Sequence, residues 1–167
     1  QGGPKVGVMA GLGVGLGAVW HIALAALGLS TLIAAHSGAL LTIKYAGATY
    51  LLYIAWKSWI STSGLVPGKG APTGWKAFRR GAVTNMLNPK PILFMLAFLP
   101  QFVEPALGAV WLQVLLLGAV FGLSGTAVTA GFGYLAGRAG HAIGARMAVL
   151  NKVAALLFAG LAARLIL

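Results

Sequence analysis

Four long apolar runs dominate this chain and constrain its fold more than any other feature. They cover residues 6–29, 39–60, 107–136 and 149–167. Each run is close to or above the roughly 20 residues that an α-helix needs to cross a bilayer. A transmembrane β-barrel would instead show alternating segments of about ten residues. The runs therefore predict an all-α fold, a polytopic bundle of transmembrane helices.

The composition excludes the other broad classes of protein. Hydrophobic residues make up 59% of the chain and charged residues 8%, whereas a soluble domain carries about 25% charged residues. Disordered chains are poor in apolar residues, so disorder is excluded too. The net charge of +11 does not indicate nucleic-acid binding, because the basic residues lie mostly at the ends of the apolar runs. The absence of Cys excludes disulfides and thiolate metal sites.

A fifth segment, residues 83–103, differs from the four runs. It reads VTNMLNPKPILFMLAFLPQFV, and its uninterrupted apolar part is too short to span a bilayer alone. Pro89 and Pro91 flank Lys90 near one end, and Pro100 lies near the other. Because proline lacks an N–H and clashes with the preceding turn, the segment predicts a fifth span whose helix is broken around residues 85–102. Non-helical backbone at membrane depth survives only inside protein or beside a water-filled cavity, which makes this segment the most informative one.

The basic residues predict the orientation of the spans. One set of connections holds nearly all of them, whereas the opposite set holds only His36 and Glu104. The positive-inside rule places the basic set in the cytoplasm, including a Gly- and Pro-rich loop at about residues 61–80 and a connection between residues 136 and 149. Lys44 and Arg164 lie within spans near the outer surface, and snorkelling of their side chains to that surface is the favoured interpretation.

Glycines recur at four-residue spacing in the apolar run at residues 6–29 and in and directly after the run at residues 107–136. Such pairs let helix backbones approach closely. The favoured interpretation is tight packing within one subunit, and a homodimer face or a sliding surface is the alternative. The glycines concerned are Gly7, Gly11 and Gly15; Gly13 and Gly17; Gly118 and Gly122; and Gly133 and Gly137.

Several blocks of sequence are shared with a known family. They are residues 44–51 (KYAGATYL), 78–81 (FRRG), 85–90 (NMLNPK) and 98–102 (FLPQF), with HIALAALGLS at residues 21–30 and Asn151, Lys152, Gly160 and Arg164 towards the end. Through these blocks the chain resembles the LysE/RhtB amino-acid exporters over nearly its whole length. The Asn-Pro-Lys block is the most specific part of the resemblance.

The resemblance implies a fold and a function. Members of the family are six-span proteins of the bacterial inner membrane that export amino acids or close derivatives, with export thought to be driven by the proton gradient. We therefore expect residues 1–167 to form a single transporter domain with five of six spans, lacking the family's first helix and its Pro-Gly-Pro motif. With that helix restored, two groups of three spans would form an inverted repeat, with the substrate near the midplane. No cofactor is implied, and the partners are an amino acid and the lipid bilayer.

A zwitterionic amino acid needs donors for its carboxylate and acceptors for its ammonium group. Lys90 and the N–H groups of a helix that starts near Pro89 would supply the donors. Asn85, Asn88 and unwound backbone carbonyls would supply the acceptors, with Gln101 as a weaker candidate near the other end. Two alternatives stay open: a Lys90 side chain that snorkels to the cytoplasmic interface, and asparagines that only cap the broken helix.

Proton coupling has one candidate carrier in this sequence. His21 lies deep in the first run, and the charge of histidine changes near neutral pH. A hydrogen-bonded packing histidine is the competing interpretation. Glu104, the only acidic residue, is expected in an outer loop and is therefore a poor carrier.

Three other functions compete with amino-acid export. A channel or a non-transporting membrane scaffold is the main alternative, and counterflow would separate a carrier from a channel. An intramembrane serine protease is a remote alternative, since residues 122–125 read GLSG and His141 or His21 would have to serve as the base. His141 is about 25 Å from Ser124 along a helix, too far for a base to reach the serine. Small-residue packing explains GLSG better, and the chain is not expected to be an enzyme. Metal efflux is disfavoured because Cys is absent and acids are too few.

Overall fold

The computed structural model of the chain describes residues 2–35, 38–61 and 73–166, and excludes the side chains of residues 32–35, 39–40 and 139–146. All regular secondary structure within these ranges is helical, which confirms the all-α class. Two short 3₁₀ helices, Leu99–Phe102 and Pro105–Leu107, follow the fourth of five α-helices. The α-helices are α1 (Gly3–Ala35), α2 (Ala39–Ile60), α3 (Gly74–Met86), α4 (Pro89–Phe98) and α5 (Val110–Ile166).

Within the described residues, three helical stretches are long and apolar enough to cross a membrane. They are Gly3–Thr31, Val110–Arg138 and Met147–Ile166, and the pair Gly74–Met86 and Pro89–Phe102 makes a fourth if it forms one broken span. Lysines and tyrosines lower the hydropathy of the 22-residue α2, which is not among these candidates. The chain is therefore a multi-pass membrane protein, and the count of five spans stays a prediction.

Two predicted connections differ from the structure. Thr73 caps α3 by accepting a hydrogen bond from the Lys76 backbone N–H at 3.3 Å, so residues 74–80 of the predicted loop are helical. The rest of that loop, residues 62–72, and His36 lie outside the described residues. The backbone from 136 to 149 is helical within α5, where a connection is expected. This stretch contains no proline, and glycine weakens a helix without preventing it.

The described chain divides into two compact units, each assembled from three separate parts of the sequence. The described residues of the first unit fall within 1–20, 62–88 and 120–150, and those of the second fall within 21–61, 89–119 and 151–167. These units are not the two sequence halves of the inverted repeat that the family resemblance implies. That repeat stays a prediction.

Glycines bring three helices together in the first unit. A Cβ atom on Gly7 would collide with the carbonyl of Gly133, and one on Gly133 would collide with the carbonyl of Gly7. On another face of α1, a Cβ on Gly13 would meet the backbone of Phe78 in α3. The four-residue glycine spacing of α1 therefore serves close packing within the chain, as predicted.

The second unit has an apolar core where α2 and the end of α5 meet. Ala48, Leu51, Ala162 and Leu165 are buried there, and Phe94 of α4 and Phe158 of α5 pack against them. At one end of this core, the Asn151 side-chain Nδ2 donates to the Ser61 hydroxyl at 3.3 Å. α2 and the last part of α5 are thus joined by both apolar packing and a hydrogen bond.

Candidate functional site

The break between α3 and α4 is the centre of the candidate site. α3 ends at Met86, α4 begins at Pro89, and the two helices are bent by 53°. Pro89 cannot donate to the Asn85 carbonyl, which instead accepts from the Asn88 N–H at 3.0 Å. Pro91 likewise cannot give the Leu87 carbonyl the bond that a continuous helix would supply. The predicted proline break is confirmed, and its backbone carbonyls are candidate acceptors.

Asn85 is the most buried of the predicted binding residues. It lies in the last turn of α3 and is 9% exposed. Its Nδ2 donates to the backbone carbonyl oxygen of Val14 in α1 at 2.8 Å, and Gly17 of α1 lies close to its side chain. The donor side of this amide therefore joins two helices of the first unit.

Asn88 and Lys90 are exposed residues on either side of Pro89. Lys90 occupies the first turn of α4, and its Nζ lies 5.8 Å from the centre of the Phe158 ring. An ammonium group over a ring is attracted by the electrons of the ring face. The break thus carries a positive charge next to amide and carbonyl groups, an arrangement that suits a zwitterion.

Gln101 lies at the other end of the segment, eleven residues beyond Lys90 and roughly 17 Å along the helical path. Its Nε2 donates to the Phe98 carbonyl at 2.9 Å. It lines a cavity of about 550 Å³ within the second unit, together with Lys44 and Arg164. The two ends of the segment therefore present separate polar groups, and Gln101 belongs with the cavity.

The cavity is the feature that sequence reasoning missed. Lys44 and Arg164 are separated by 120 positions in sequence, and each by itself fits the snorkelling interpretation. The signal available in the sequence was that both interrupt apolar runs in a chain with a single acidic side chain, Glu104. Only the packing of α2 against the end of α5 shows that they share a cavity.

His21 is 2% exposed, in the part of α1 that belongs to the second unit. Burial is compatible with both a proton carrier and a packing residue. The protease alternative gains no support: the exposed Ser124 donates its hydroxyl to the Phe121 carbonyl of its own helix at 3.0 Å, and the His141 side chain lies outside the description. A Cβ on Gly125 would meet nothing within 4 Å, so packing within the chain does not explain this glycine.

Metal binding has no candidate within the described part of the chain, where no three His, Asp or Glu side chains are grouped. The described residues offer charge and hydrogen bonding. A cation, amides and broken-helix carbonyls follow one another within a few residues of sequence at the break, and two cations and an amide line the cavity of the second unit. Such groups can bind and release a small polar solute without changing it covalently.

Comparison with known proteins identifies relatives over most of the chain. A homoserine/homoserine lactone efflux protein of Salmonella typhimurium is 34% identical over 157 residues, which is 92% of this chain and 75% of the relative. The protein of the same description from Salmonella typhi is 34% identical over 154 residues, 90% of this chain and 73% of the relative. A membrane protein of Vibrio cholerae is 31% identical over 160 residues, 93% of this chain and 77% of the relative. No solved structure matches the chain.

The family comparison agrees with these relatives. Residues 1–167, the whole chain, match the family described as LysE type translocator. The apolar helices, the family and the membrane proteins among the relatives together make the chain a multi-pass protein of the bacterial inner membrane. The chain therefore belongs to the LysE family of membrane translocators.

Proposed function

We propose that this protein exports amino acids or close derivatives across the bacterial inner membrane as a secondary carrier driven by the proton gradient. Two relatives are described as efflux proteins for homoserine and homoserine lactone, which makes homoserine the first cargo to test. The observation that carries the proposal is the proline break of residues 87–89 with Lys90 in the first turn of the following helix. Broken helices with ionisable groups are a recurrent plan for substrate sites in transporters.

The two ends of the cargo find different partners at this break. The Lys90 ammonium group attracts the carboxylate of the cargo. Because Pro89 and Pro91 lack an N–H, only Lys90 and Ile92 among the first four residues of α4 have a backbone amide donor to add. The side-chain charge of Lys90 therefore supplies most of the positive potential. The carbonyl of Leu87 and the amide of Asn88 accept from the ammonium group of the cargo.

Asn85 takes a different part from the one that the sequence suggests. Its bond to Val14 supports a role in holding α3 against α1, beneath the break. In this proposal the bond fixes the end of α3 that leads into Asn88, and contact between Asn85 and the cargo is not required.

Transport requires the site to open alternately to the two sides of the membrane. In this proposal one group of helices rocks against another, as in other transporters built around broken helices. In this proposal His21 carries the coupled proton, since an imidazole can bind and release a proton and this one is buried in an apolar helix. Protonation on one side and release on the other would couple export to the gradient.

A second interpretation of Lys90 has its own supporting observation. The residue is exposed and its ammonium group lies over the Phe158 ring, as expected of a cation that anchors a helix at the membrane interface. Under that interpretation Lys90 would matter for insertion or stability and not for binding of the cargo. A channel or a scaffold stays the alternative function.

Counterflow in proteoliposomes separates these functions. Vesicles loaded with unlabelled homoserine are diluted into labelled homoserine, and an amino-acid panel follows in the same format. A carrier accumulates label transiently above equilibrium, whereas a channel only equilibrates it and a scaffold leaves it outside. Absence of counterflow for every amino acid, with the protein folded and inserted, would exclude amino-acid export.

A further inference from the structure

Three elements of the second unit contribute polar side chains to the lining of the cavity of about 550 Å³. Lys44 comes from the first turns of α2, Gln101 from the 3₁₀ helix after α4, and Arg164 from the last turn of α5. Ala97, Pro100 and Leu165 form buried apolar parts of the wall. The cavity volume falls within the range of about 300–1,000 Å³ that is usual for small-molecule sites.

The charges in this cavity are of one sign. Lys44 is half-buried, Arg164 is exposed, and neither forms an ion pair with an acidic side chain within the described residues. The only acidic side chain, Glu104, accepts from the Ala106 N–H at 3.4 Å and so caps a 3₁₀ helix. Like charges at one cavity repel, and an anion that bridges them removes the repulsion.

Snorkelling does not account for this arrangement. Two comparable cations of the same helices, Lys57 of α2 and Lys152 of α5, lie over the rings of Tyr53 and Trp59 and do not line the cavity. Arg164 also contacts a ring, that of Phe102 at 5.8 Å, yet it lines the cavity together with Lys44. Of these four cations, only Lys44 and Arg164 line the cavity, so the pairing is specific to this end of the second unit.

We propose that Lys44 and Arg164 form a second carboxylate-binding site for an amino-acid cargo, separate from the break at Lys90. The Gln101 Nε2 is held by the Phe98 carbonyl, and the oxygen of the same amide is an acceptor for the ammonium group of the cargo. The headgroup of an anionic lipid such as phosphatidylglycerol has no ammonium group for that oxygen, so the amide favours a zwitterion. The inference rests on the proposed function for the identity of the cargo. Under the predicted orientation the site lies on the outer side of the membrane, where export ends.

A cysteine reporter tests the site without requiring transport. The chain contains no Cys, so Leu41→Cys at the exposed rim of the cavity gives a single reactive thiol. Its labelling rates with an anionic and a cationic methanethiosulfonate reagent are compared in vesicles of neutral phosphatidylcholine. They are measured again with 30 mol% phosphatidylglycerol, and in both lipids with homoserine or homoserine lactone added. The lactone has the same carbon skeleton as homoserine and lacks a free carboxylate.

The expected result has two parts. The anionic reagent reacts faster, and the ratio of the two rates falls about tenfold in Lys44→Gln/Arg164→Gln and stays unchanged in Lys57→Gln/Lys152→Gln. Homoserine slows labelling in both lipids and the lactone does so much less. Arg164→Lys keeps the positive charge and is the second test in case the double variant does not fold. It should retain the faster reaction with the anionic reagent.

Either of two results overturns the proposal. One is a rate ratio that responds equally to the cavity pair and to the control pair. The other is labelling that homoserine does not slow, including the case in which only phosphatidylglycerol slows it and the occupant is a lipid headgroup. Failure of the proposed function is a separate outcome, since it shows as absent counterflow while labelling and protection are still measured.

Discussion

Asn85 donates a hydrogen bond from its side-chain Nδ2 to the backbone carbonyl oxygen of Val14, 2.8 Å away and 71 positions earlier in the chain. This bond ties the last turn of α3 to α1 just before the proline break. A residue that the sequence marks as a substrate ligand thus has a structural bond on its donor side. The two roles can be distinguished by measurement. Loss of a fold-supporting bond lowers the unfolding temperature, whereas loss of a substrate ligand lowers transport.

Asn85→Ala is expected to destabilise the protein by about 1–2 kcal/mol, because a buried hydrogen bond is lost and a small cavity remains. The measurement is thermal unfolding in detergent, with homoserine counterflow of the surviving protein alongside. Thr84→Ala, at an exposed position of the same helix, is the control and should not lower the unfolding temperature, because alanine favours the helix. Normal stability of Asn85→Ala with abolished counterflow would return Asn85 to the binding site.

Lys90→Ala is expected to weaken homoserine counterflow by roughly 10- to 100-fold in apparent affinity, the equivalent of about 1.5–3 kcal/mol for a hydrogen bond to a charged group. Lys152→Ala is the matched control, because Lys152 is also an exposed lysine over an aromatic ring in the same unit. Equal transport by the two variants would identify Lys90 as an interfacial anchor.

The glycine contacts of the first unit predict a position-specific loss of stability. Gly133→Ala places a methyl group against the Gly7 backbone and should cost about 1–3 kcal/mol, because backbone cannot move aside as a flexible side chain can. Gly131→Ala, two residues earlier in α5, meets nothing within 4 Å and should be neutral or slightly stabilising, because alanine favours the helix. Thermal unfolding of the two variants in parallel checks this, and equal melting temperatures would argue against the α1–α5 contact.

Restoring the missing N–H groups should straighten the broken helix. Pro89→Ala/Pro91→Ala provides donors for the Asn85 and Leu87 carbonyls, so the 53° bend is expected to decrease. Spin labels on cysteines at Trp75 and Phe102, in a chain without native Cys, would report a longer distance between the labels. Pro4→Ala is the control, because Pro4 lies in the first turn of α1, where a missing N–H has no consequence. An unchanged distance would mean that tertiary packing, and not proline, sets the bend.

His21→Gln distinguishes a role of His21 in proton coupling from a role in helix packing. A coupled carrier without its proton acceptor should lose homoserine transport driven by a pH gradient and keep counterflow, which needs no net proton movement. A packing histidine would instead show a lower unfolding temperature with both activities reduced together. Retention of gradient-driven transport at the wild-type rate would exclude His21 as the proton carrier.

Local features of the sequence were enough for several conclusions. Long apolar runs predict membrane helices because the hydrocarbon core solvates neither charges nor free backbone groups. Pro89 predicts the end of α3 and the start of α4, since the missing N–H acts within one turn. Four-residue glycine spacing predicts the close approach of helices, and the NMLNPK and FLPQF blocks indicate the family. Each of these signals lies within a few residues of the feature that it predicts.

The contacts of those residues are visible only in the folded chain. No local pattern shows that Asn85 bonds to Val14, or that Lys44 and Arg164 share a cavity, because these partners are 71 and 120 positions apart and are brought together by packing. The same limit applies to α5, where charges and glycines between residues 136 and 149 predict a connection and the backbone is helical. The membrane environment, the helices and the break between α3 and α4 follow from local sequence, since these depend on hydropathy and backbone donors. The pairing of distant helices depends on the fit of surfaces that only the folded chain creates.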